Sequence, residues 1–501
     1  MNPIVVKFGG SSLATAAQFE KVAAIIREAP ARRYVVASAP GKRFDGDTKV
    51  TDLLYRCYDA ACAGQEFAPV LDEIWQRFAD IIGALRLSAN LEPDFAAIEA
   101  HLRQSPQRDY MASRGEYLNS KLLAAYLGFR FVDAAQMVLF RADGSFDPEA
   151  TNTAIGHALV SVEHAVIPGF YGAMPDGTVH TFSRGGSDVT GSVVARAVGA
   201  GLYENWTDVS GVLSADPRII EHPHVIDYIT YRELRELSYM GASVLHEEAV
   251  FPVREAGIPL VIKNTNAPQD PGTIISETAD EGEAEPIITG VTGKRGFVAI
   301  NVARDRTKPR VGFMRRALSV FERYDVSVEH MPTGVDRFGA VVQEQDVHDS
   351  LYSLVGDIQQ EVEPLEIEVV EGLALIATVG RNLRGRAGIS GHLFGMLGQA
   401  GVSVRMISQS CDEINIIIGV EEKDFDLAIQ TIYRAFSDEN GIVKVSDLEA
   451  PAPVDPALAA LKKQRLFGRF LGHVSKIYGG AFRFGFVSTG RISCPPCSCI
   501  N

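Results

Sequence analysis

The sequence predicts an α/β protein, with a large unit on a mostly parallel sheet followed by two smaller βαββαβ units. Three observations predict it: the chain opens strand, glycine turn, helix, strand; its composition changes near residue 277; and one order of elements recurs beyond that point. At 501 residues the chain is also too long for one core.

Residues 3–8 form a short apolar run ending in Gly-Gly, and helical spacing follows over 14–28. Residues 34–39 repeat the β-rich run before a loop that begins Pro40-Gly41. From 51 to 104 the pattern is almost wholly helical, with Leu71, Ile74, Phe78, Ile81 and Ile82 at helix spacing. Further strands are expected at 129–133, 162–168, 202–206 and 259–263, and helices at 117–127, 187–197 and 238–255. The run E-T-A-D-E-G-E-A-E-P (277–286) is acidic and lacks core residues, so it reads as an exposed linker. A strand at 298–302, a helix at 312–324 and strands at 326–330 and 339–342 come next. A similar order returns as a strand at 374–379, a helix at 389–400, strands at 402–407 and 413–420, and a helix at 424–435. The expected divisions are 1–278, a linker at 279–289, repeats at 290–365 and 366–446 paired side by side, and an irregular tail at 447–501. That tail opens P-A-P-V-D-P, turns basic and aromatic, and ends in C-P-P-C-S-C.

Composition excludes several classes of function. A net charge of −15 opposes a general nucleic-acid surface, which needs clustered Lys and Arg. No run reaches the roughly 18 apolar residues of a membrane span. Residues 1–6 lack the basic start of a secretory signal. Cys57, Cys62 and Cys411 are scattered, which fits reduced thiols in a cytoplasm. Cys494, Cys497 and Cys499 crowd into the tail, where a redox-prone end is favoured over a metal site, and no protein-only metal site is expected elsewhere.

The chemistry is narrowed by elimination. No G-x-x-x-x-G-K-[ST] string occurs, and Gly385, Gly388 and Gly391 have the wrong spacing for a dinucleotide fingerprint. Zinc-type Cys/His pairings are absent from the folded part, and no His accompanies a Ser or Cys nucleophile motif. Glycine turns remain. F-S-R-G-G-S-D-V-T (182–190) combines a guanidinium that can clamp a carboxylate, amides that can approach an anion, and a carboxylate at Asp188. K-F-G-G-S-S (7–12) puts Lys7 at the end of the first strand, before Gly9, Gly10, Ser11 and Ser12, where open parallel sheets bind ligands. A third loop runs from Thr207 and Asp208 through Asp216-Pro217-Arg218, a mixture suited to nucleotide and Mg²⁺. Each also has a plain reading: Lys7 as the rim of a turn, Ser11 and Ser12 as caps, Thr51 as a helix N-cap, and Glu116 as a carboxylate serving a helix start.

These segments, with S-A-P-G-K-R (38–43), V-T-D-L-L (50–54), S-R-G-E-Y-L-N (113–119), W-T-D-V-S-G-V (206–212) and Y-M-G-A-S-V-L-H (239–246), resemble the aspartate kinase family of the amino-acid kinase superfamily. The resemblance covers about residues 1–446. It implies a three-layer αβα sandwich with a mostly parallel sheet, followed by two ferredoxin-like ACT domains. The activity it implies is transfer of the ATP γ-phosphoryl group, with Mg²⁺, to the β-carboxylate of L-aspartate, the first step of lysine (diaminopimelate), threonine and methionine biosynthesis.

By the family pattern Lys7 and Asp188 are the catalytic pair, and Thr51, Glu116, Arg184 and Ser187 bind the amino acid. Lys7, Gly9, Gly10, Ser11, Thr207, Asp208, Leu213, Arg218 and Ser243 bind nucleotide. Two of these depart from the pattern: Leu213 stands where many relatives have tyrosine, and Ser243 where some have lysine, with Lys263 a candidate to supply the missing charge. The resemblance further implies an effector site for lysine or threonine at Gly312, Met314, Ser327, Val328 and Glu329, and a homodimer formed through the ACT domains. Two other readings compete: an amino-acid kinase for another carboxylate, and a catalytically inactive amino-acid sensor.

Overall fold

The computed structural model describes residues 2–183, 185–241, 245, 247–278, 286–307, 311–384, 386–409, 414–438 and 441–443. Arg184, Ser243, most of the acidic linker and the whole tail 447–501 lie outside the described residues.

The first ten strands are β1 (Ile4–Phe8), β2 (Arg32–Ala37), β3 (Arg130–Phe131), β4 (Ala165–Pro168), β5 (Tyr171–Ala173), β6 (Val179–Thr181), β7 (Leu202–Thr207), β8 (Tyr228–Thr230), β9 (Leu260–Asn264) and β10 (Thr273–Ser276). Eight of them make one sheet in the order β3-β4-β2-β1-β7-β9-β10-β8, while β5 and β6 pair as a hairpin. Every neighbouring pair in that sheet is parallel except β9–β10.

Helices cover both faces. α1 (Ala16–Glu28), α2 (Val50–Cys62), α3 (Ala68–Leu85), α4 (Glu92–Gln104) and α5 (Arg108–Leu127) pack one side, with Phe19, Leu53, Phe78, Phe95 and Leu118 in its core. α6 (Pro148–Leu159), α7 (Gly186–Ala197), α8 (Tyr231–Tyr239) and α9 (Glu247–Glu255) pack the other, with Ile155, Val193 and Leu234 inside. The period-2 alternation of β1 is visible in these cores. Val6 and Phe8 face α1–α5, and Val5 faces the α6–α9 layer, so Lys7 emerges in phase with Val5.

The C-terminal region has a second sheet. β11 (Gly290–Ala303), β12 (Arg337–Gln343), β13 (Glu366–Val379), β14 (Met406–Ser408) and β15 (Asn415–Glu421) pair antiparallel in the order β12-β11-β13-β15-β14. Five helices accompany them: α10 (Phe313–Arg323), α11 (Glu344–Val347), α12 (Leu351–Val362), α13 (Ile389–Gln399) and α14 (Phe425–Ala435).

The two repeats do not form separate sheets. Residues 297–303 of β11 pair with 366–373 of β13, and residues 290–294 pair with 375–379, so both strands run through both halves. The register shifts near Gly296 and Gly372, whose φ angles of 80° and 68° let the strands kink and continue. The expected division at 365/366 therefore falls at the start of a shared strand. Two expected strands also shrink: 326–330 reduces to a single bridge at His330, and 402–407 to β14.

α8 joins the two regions. Its capping box buries Glu233 completely, and that carboxylate also accepts from the Arg381 amide at 3.1 Å and its guanidinium at 3.2 Å. Val291 donates to Ser214 O at 2.8 Å, and the His224 amide to the Tyr433 hydroxyl at 3.1 Å.

Candidate active site

The carboxyl ends of β1, β2 and β7 open into a cavity of about 690 Å³. Its walls come from several elements. Lys7 comes from β1, and Gly9, Gly10 and Ser11 follow it; residues 38–45 and Lys49 follow β2; Thr51 and Glu116 come from α2 and α5; Asp188 from α7; and Asn205 and Thr207 from β7, with Asp208 just beyond it. This is where an open parallel sheet places its ligands.

The turn after β1 is tightly built. The Gly41 amide donates to Gly10 O at 2.8 Å, and a Cβ at Gly10 would lie 2.9 Å from Ala39 O. Both neighbours are backbone and cannot swing aside. Gly10→Ala is therefore expected to cost about 1–3 kcal/mol and to push the β2 loop out of the site. Urea unfolding checks the first, and a raised KM for nucleotide the second.

The loop after β2 is fastened from below. Asp47 accepts from the Arg43 amide and Nε at 2.9 Å and lies 3.3 Å from the Arg77 guanidinium. Arg77 also donates to Gly41 O at 2.6 Å and Thr48 O at 2.5 Å. The Arg43 bond, ahead of burial acting the other way, holds the Asp47 carboxyl well below the usual range. Lys42 and Lys49 thus reach the cavity from a fixed strap.

At the cavity floor Lys7 Nζ lies 2.7 Å from Asp188 Oδ1 and donates to Asn205 Oδ1 at 3.3 Å. Asp188 sits in the first turn of α7, which begins after Gly185 at φ 64°, a left-handed conformation that only glycine adopts cheaply.

Glu116 lines the same cavity. Its side chain is buried, and Oε2 has no hydrogen-bond partner. Burial, only partly offset by amide bonds and Arg114, pushes its carboxyl up to about 8. Because α5 starts at Arg108, Glu116 lies in the middle of the helix, and the helix-start reading fails. Thr51 is likewise no N-cap, since Lys49 precedes the first residue of α2. A buried carboxyl with a bare oxygen in a cavity wall suits a ligand's ammonium.

The structure does not bring every expected residue here. Ser187 packs against Gly169 instead of lining the cavity. Leu213 and Arg218 line a second cavity of about 310 Å³ with Val291 and Ile429, and Arg218 is held by Asp216 at 2.6 Å. Leu245 lines the first cavity and Gly241 the second. Lys263 lies over the Trp206 ring at 5.3 Å, on the sheet face opposite Asn205 and Ile262, and does not reach the cavity.

Among the regulatory candidates, Gly312 and Met314 line a third cavity of about 320 Å³, whereas Ser327, Val328 and Glu329 do not. Glu329 is engaged elsewhere: it accepts from Gln343 Nε2 at 3.0 Å and from the Tyr239 hydroxyl of α8.

Asn205 is a site residue that lies outside every motif string, while Ser38 and Lys42 belong to the S-A-P-G-K-R string but were assigned no role. Asn205 left a signal: a buried amide inside a central parallel strand, where a run of apolar residues is the norm.

A model of the amino acid kinase family matches residues 2–264, and one of the ACT domain matches 376–436. Aspartokinase 3 of Bacillus subtilis is 37% identical over 453 residues, covering 86% of this chain and 98% of that protein. The chloroplastic aspartokinase 1 of Arabidopsis thaliana is 30% identical over 474 residues, covering 87% and 81%. The crystal structure of Clostridium acetobutylicum aspartate kinase superposes with a TM-score of 0.80 at 45% identity, covering 87% of this chain and 99% of that one. E. coli aspartokinase III in complex with aspartate and ADP shares the fold at a TM-score of 0.67 and 24% identity, covering 86% and 99%.

Proposed function

The chain belongs to the aspartokinases of the amino acid kinase family, ATP-dependent kinases, and from that premise we propose the reaction it performs. It transfers the γ-phosphoryl group of ATP to the β-carboxylate of L-aspartate, giving 4-phospho-L-aspartate and ADP. The observation that carries this reading is one cavity lined by both the Lys7–Asp188 pair and the buried Glu116 carboxyl, whose Oε2 has no hydrogen-bond partner.

The β-carboxylate is already ionised at neutral pH, with a pKa of about 3.9, so no general base is needed. One of its oxygens bonds to the γ-phosphorus as the bond to the bridging oxygen of ADP breaks, and that oxygen keeps the electron pair. Alignment and charge neutralisation then set the rate. Lys7 meets the phosphate oxygens, with the Gly9–Gly10 turn beside it, and Glu116 takes the α-ammonium. Thr51 is a further amino-acid contact. Arg184, which precedes α7 in the sequence, takes the α-carboxylate, so Arg184→Ala raises the aspartate KM far more than the ATP KM. The nucleotide extends from Ser11, Thr207 and Asp208 toward Leu213, Arg218 and Ser243.

Asp188 and Asp208 are hard oxygen donors in the same cavity, which fits Mg²⁺ arriving with the nucleotide and keeping phosphate and water ligands. They would hold it, and bound there it supplies charge neutralisation on the phosphates.

The reaction opens lysine, threonine and methionine synthesis, and its regulation runs through the ACT region in a homodimer. Gly312, Met314, Ser327, Val328 and Glu329 are the effector contacts. Glu329 is already bonded to Tyr239, so an effector ammonium competes with α8 for that carboxylate. Tyr239→Phe frees Glu329 and should lower the half-inhibitory concentration of lysine or threonine about fivefold, with kcat unchanged. An unchanged or raised value argues against Glu329 as the ammonium site.

The reading is tested by trapping acyl phosphate with hydroxylamine, using ATP, Mg²⁺ and a panel of amino acids. Hydroxamate should form with L-aspartate alone. Formation with glutamate only would favour a kinase for another carboxylate, and no formation a sensor.

A further inference from the structure

Two consecutive buried polar residues, Glu204 and Asn205, occupy the middle of β7, a central strand. Burying such groups costs free energy unless their bonds are met. Glu204 is accounted for structurally: it faces α1 and pairs with Arg32 at 2.8 Å and the Trp206 indole N–H at 2.8 Å. Asn205 faces the cavity, and the fold gives it no comparable structural task. Its two bonds go to the two groups placed at the reacting phosphate. Oδ1 accepts from Lys7 Nζ at 3.3 Å, and Nδ2 donates to Asp188 Oδ1 at 2.8 Å.

We infer that Asn205 is a positioning residue, an amide that fixes the aim of Lys7 and decides which oxygen of Asp188 stays available. This rests on the kinase reading above. An ammonium has three N–H donors. One meets Asp188 at 2.7 Å and one meets Asn205, so the third has a single direction left. Asp188 is constrained in the same way. Both of its partners converge on Oδ1, and Oδ2 has no hydrogen bond among the described residues. The parallel register supports the arrangement, because Lys7 and Asn205 are direct partners across β1 and β7 and emerge on the same face. Only an amide serves both neighbours at once. A carboxylate has no donor for Asp188, and an aliphatic side chain lacks both groups. A cation left with one acceptor samples several directions, which weakens alignment without removing binding.

Two substitutions test this. Asn205→Leu has similar volume and deletes both bonds. It should lower kcat about 30-fold or more while the KM values for aspartate and ATP stay within about threefold. Asn205→Asp keeps the volume and the acceptor for Lys7 but loses the N–H donor to Asp188. Its kcat should also fall, by about tenfold or more, again with both KM values within about threefold.

A readout separate from turnover is the rate at which Lys7 is acylated by an amine-reactive ester at fixed pH, followed by peptide mass spectrometry. Loss of an acceptor should raise it at least about threefold in Asn205→Leu. Far-ultraviolet circular dichroism and melting confirm that each variant is folded. Active wild type whose Lys7 reactivity and kcat are unmoved by Asn205→Leu overturns the inference. Equal rises in both KM values with unchanged kcat also overturn it. Changed Lys7 reactivity in a protein that phosphorylates no amino acid supports the positioning and overturns the kinase reading alone.

Discussion

Lys7→Met should lower kcat by about 10³-fold, roughly 4 kcal/mol of barrier, with little change in the aspartate KM. Lys7 is buried, at 8% exposure, and among the described residues its ammonium has one charged partner, the Asp188 carboxylate at 2.7 Å. Such a cation is preorganised: it need not be desolvated or reoriented when charge shifts toward ADP. Methionine keeps the length and the apolar stem, so packing against the core is preserved. The loss should then fall on kcat, because the cation's worth is greatest as the phosphoryl group transfers. Steady-state kinetics over both substrates checks it. A variant that keeps kcat within tenfold would remove Lys7 from the phosphate.

Glu116→Gln should raise the aspartate KM about 100-fold and abolish a pH dependence that the wild type shows. In the free protein burial pushes the Glu116 carboxyl up to about 8, so below that pH most molecules carry it protonated. Only the ionised form pairs with the α-ammonium. The wild-type kcat/KM for aspartate should therefore climb about tenfold per pH unit toward a plateau above about pH 8. An amide at this position cannot ionise, so the variant's profile should be flat across that range.

Stability moves the other way. The folded value lies above the unfolded one of about 4.3, so native protein holds the proton longer and wild-type stability declines between these two pH values. The amide removes that decline, and Glu116→Gln should melt higher than wild type at pH 8. Kinetic profiles from pH 6 to 9 with parallel melting curves decide it. A flat wild-type profile would place the ammonium elsewhere.

The parts of this site that were legible in the sequence are those carried by contiguous strings at strand ends. Lys7, Gly9, Gly10, Thr207 and Asp208 lie at or just past the carboxyl ends of β1 and β7, and a parallel sheet delivers such residues to one edge. Asn205 was not legible, because its role depends on the β1–β7 register and on α7 arriving from another layer. Glu116 was recognised as a ligand, but its helix was read nine residues short. α5 is buried over most of its circumference, and its stretch Met111–Asn119 mixes polar and apolar residues without the stripe of an amphipathic helix.

The C-terminal repeats show the same limit on a larger scale. Their elements recur visibly, yet the crossing of β11 and β13 through both halves depends on glycine kinks at Gly296 and Gly372 that sequence spacing does not announce. Leu213 and Arg218 were grouped with Lys7 by family pattern, while the fold places them in a second cavity.

The account turns on where the phosphoryl group lands. Phosphorus and carbon NMR of a reaction with Mg²⁺, ATP and L-aspartate labelled with ¹³C at the β-carboxyl answers this directly. The account predicts an acyl-phosphate resonance coupled to the labelled carbon, with a rate that saturates in aspartate. Release of inorganic phosphate without that coupled signal, or phosphate bonded to any other atom of the amino acid, would contradict it.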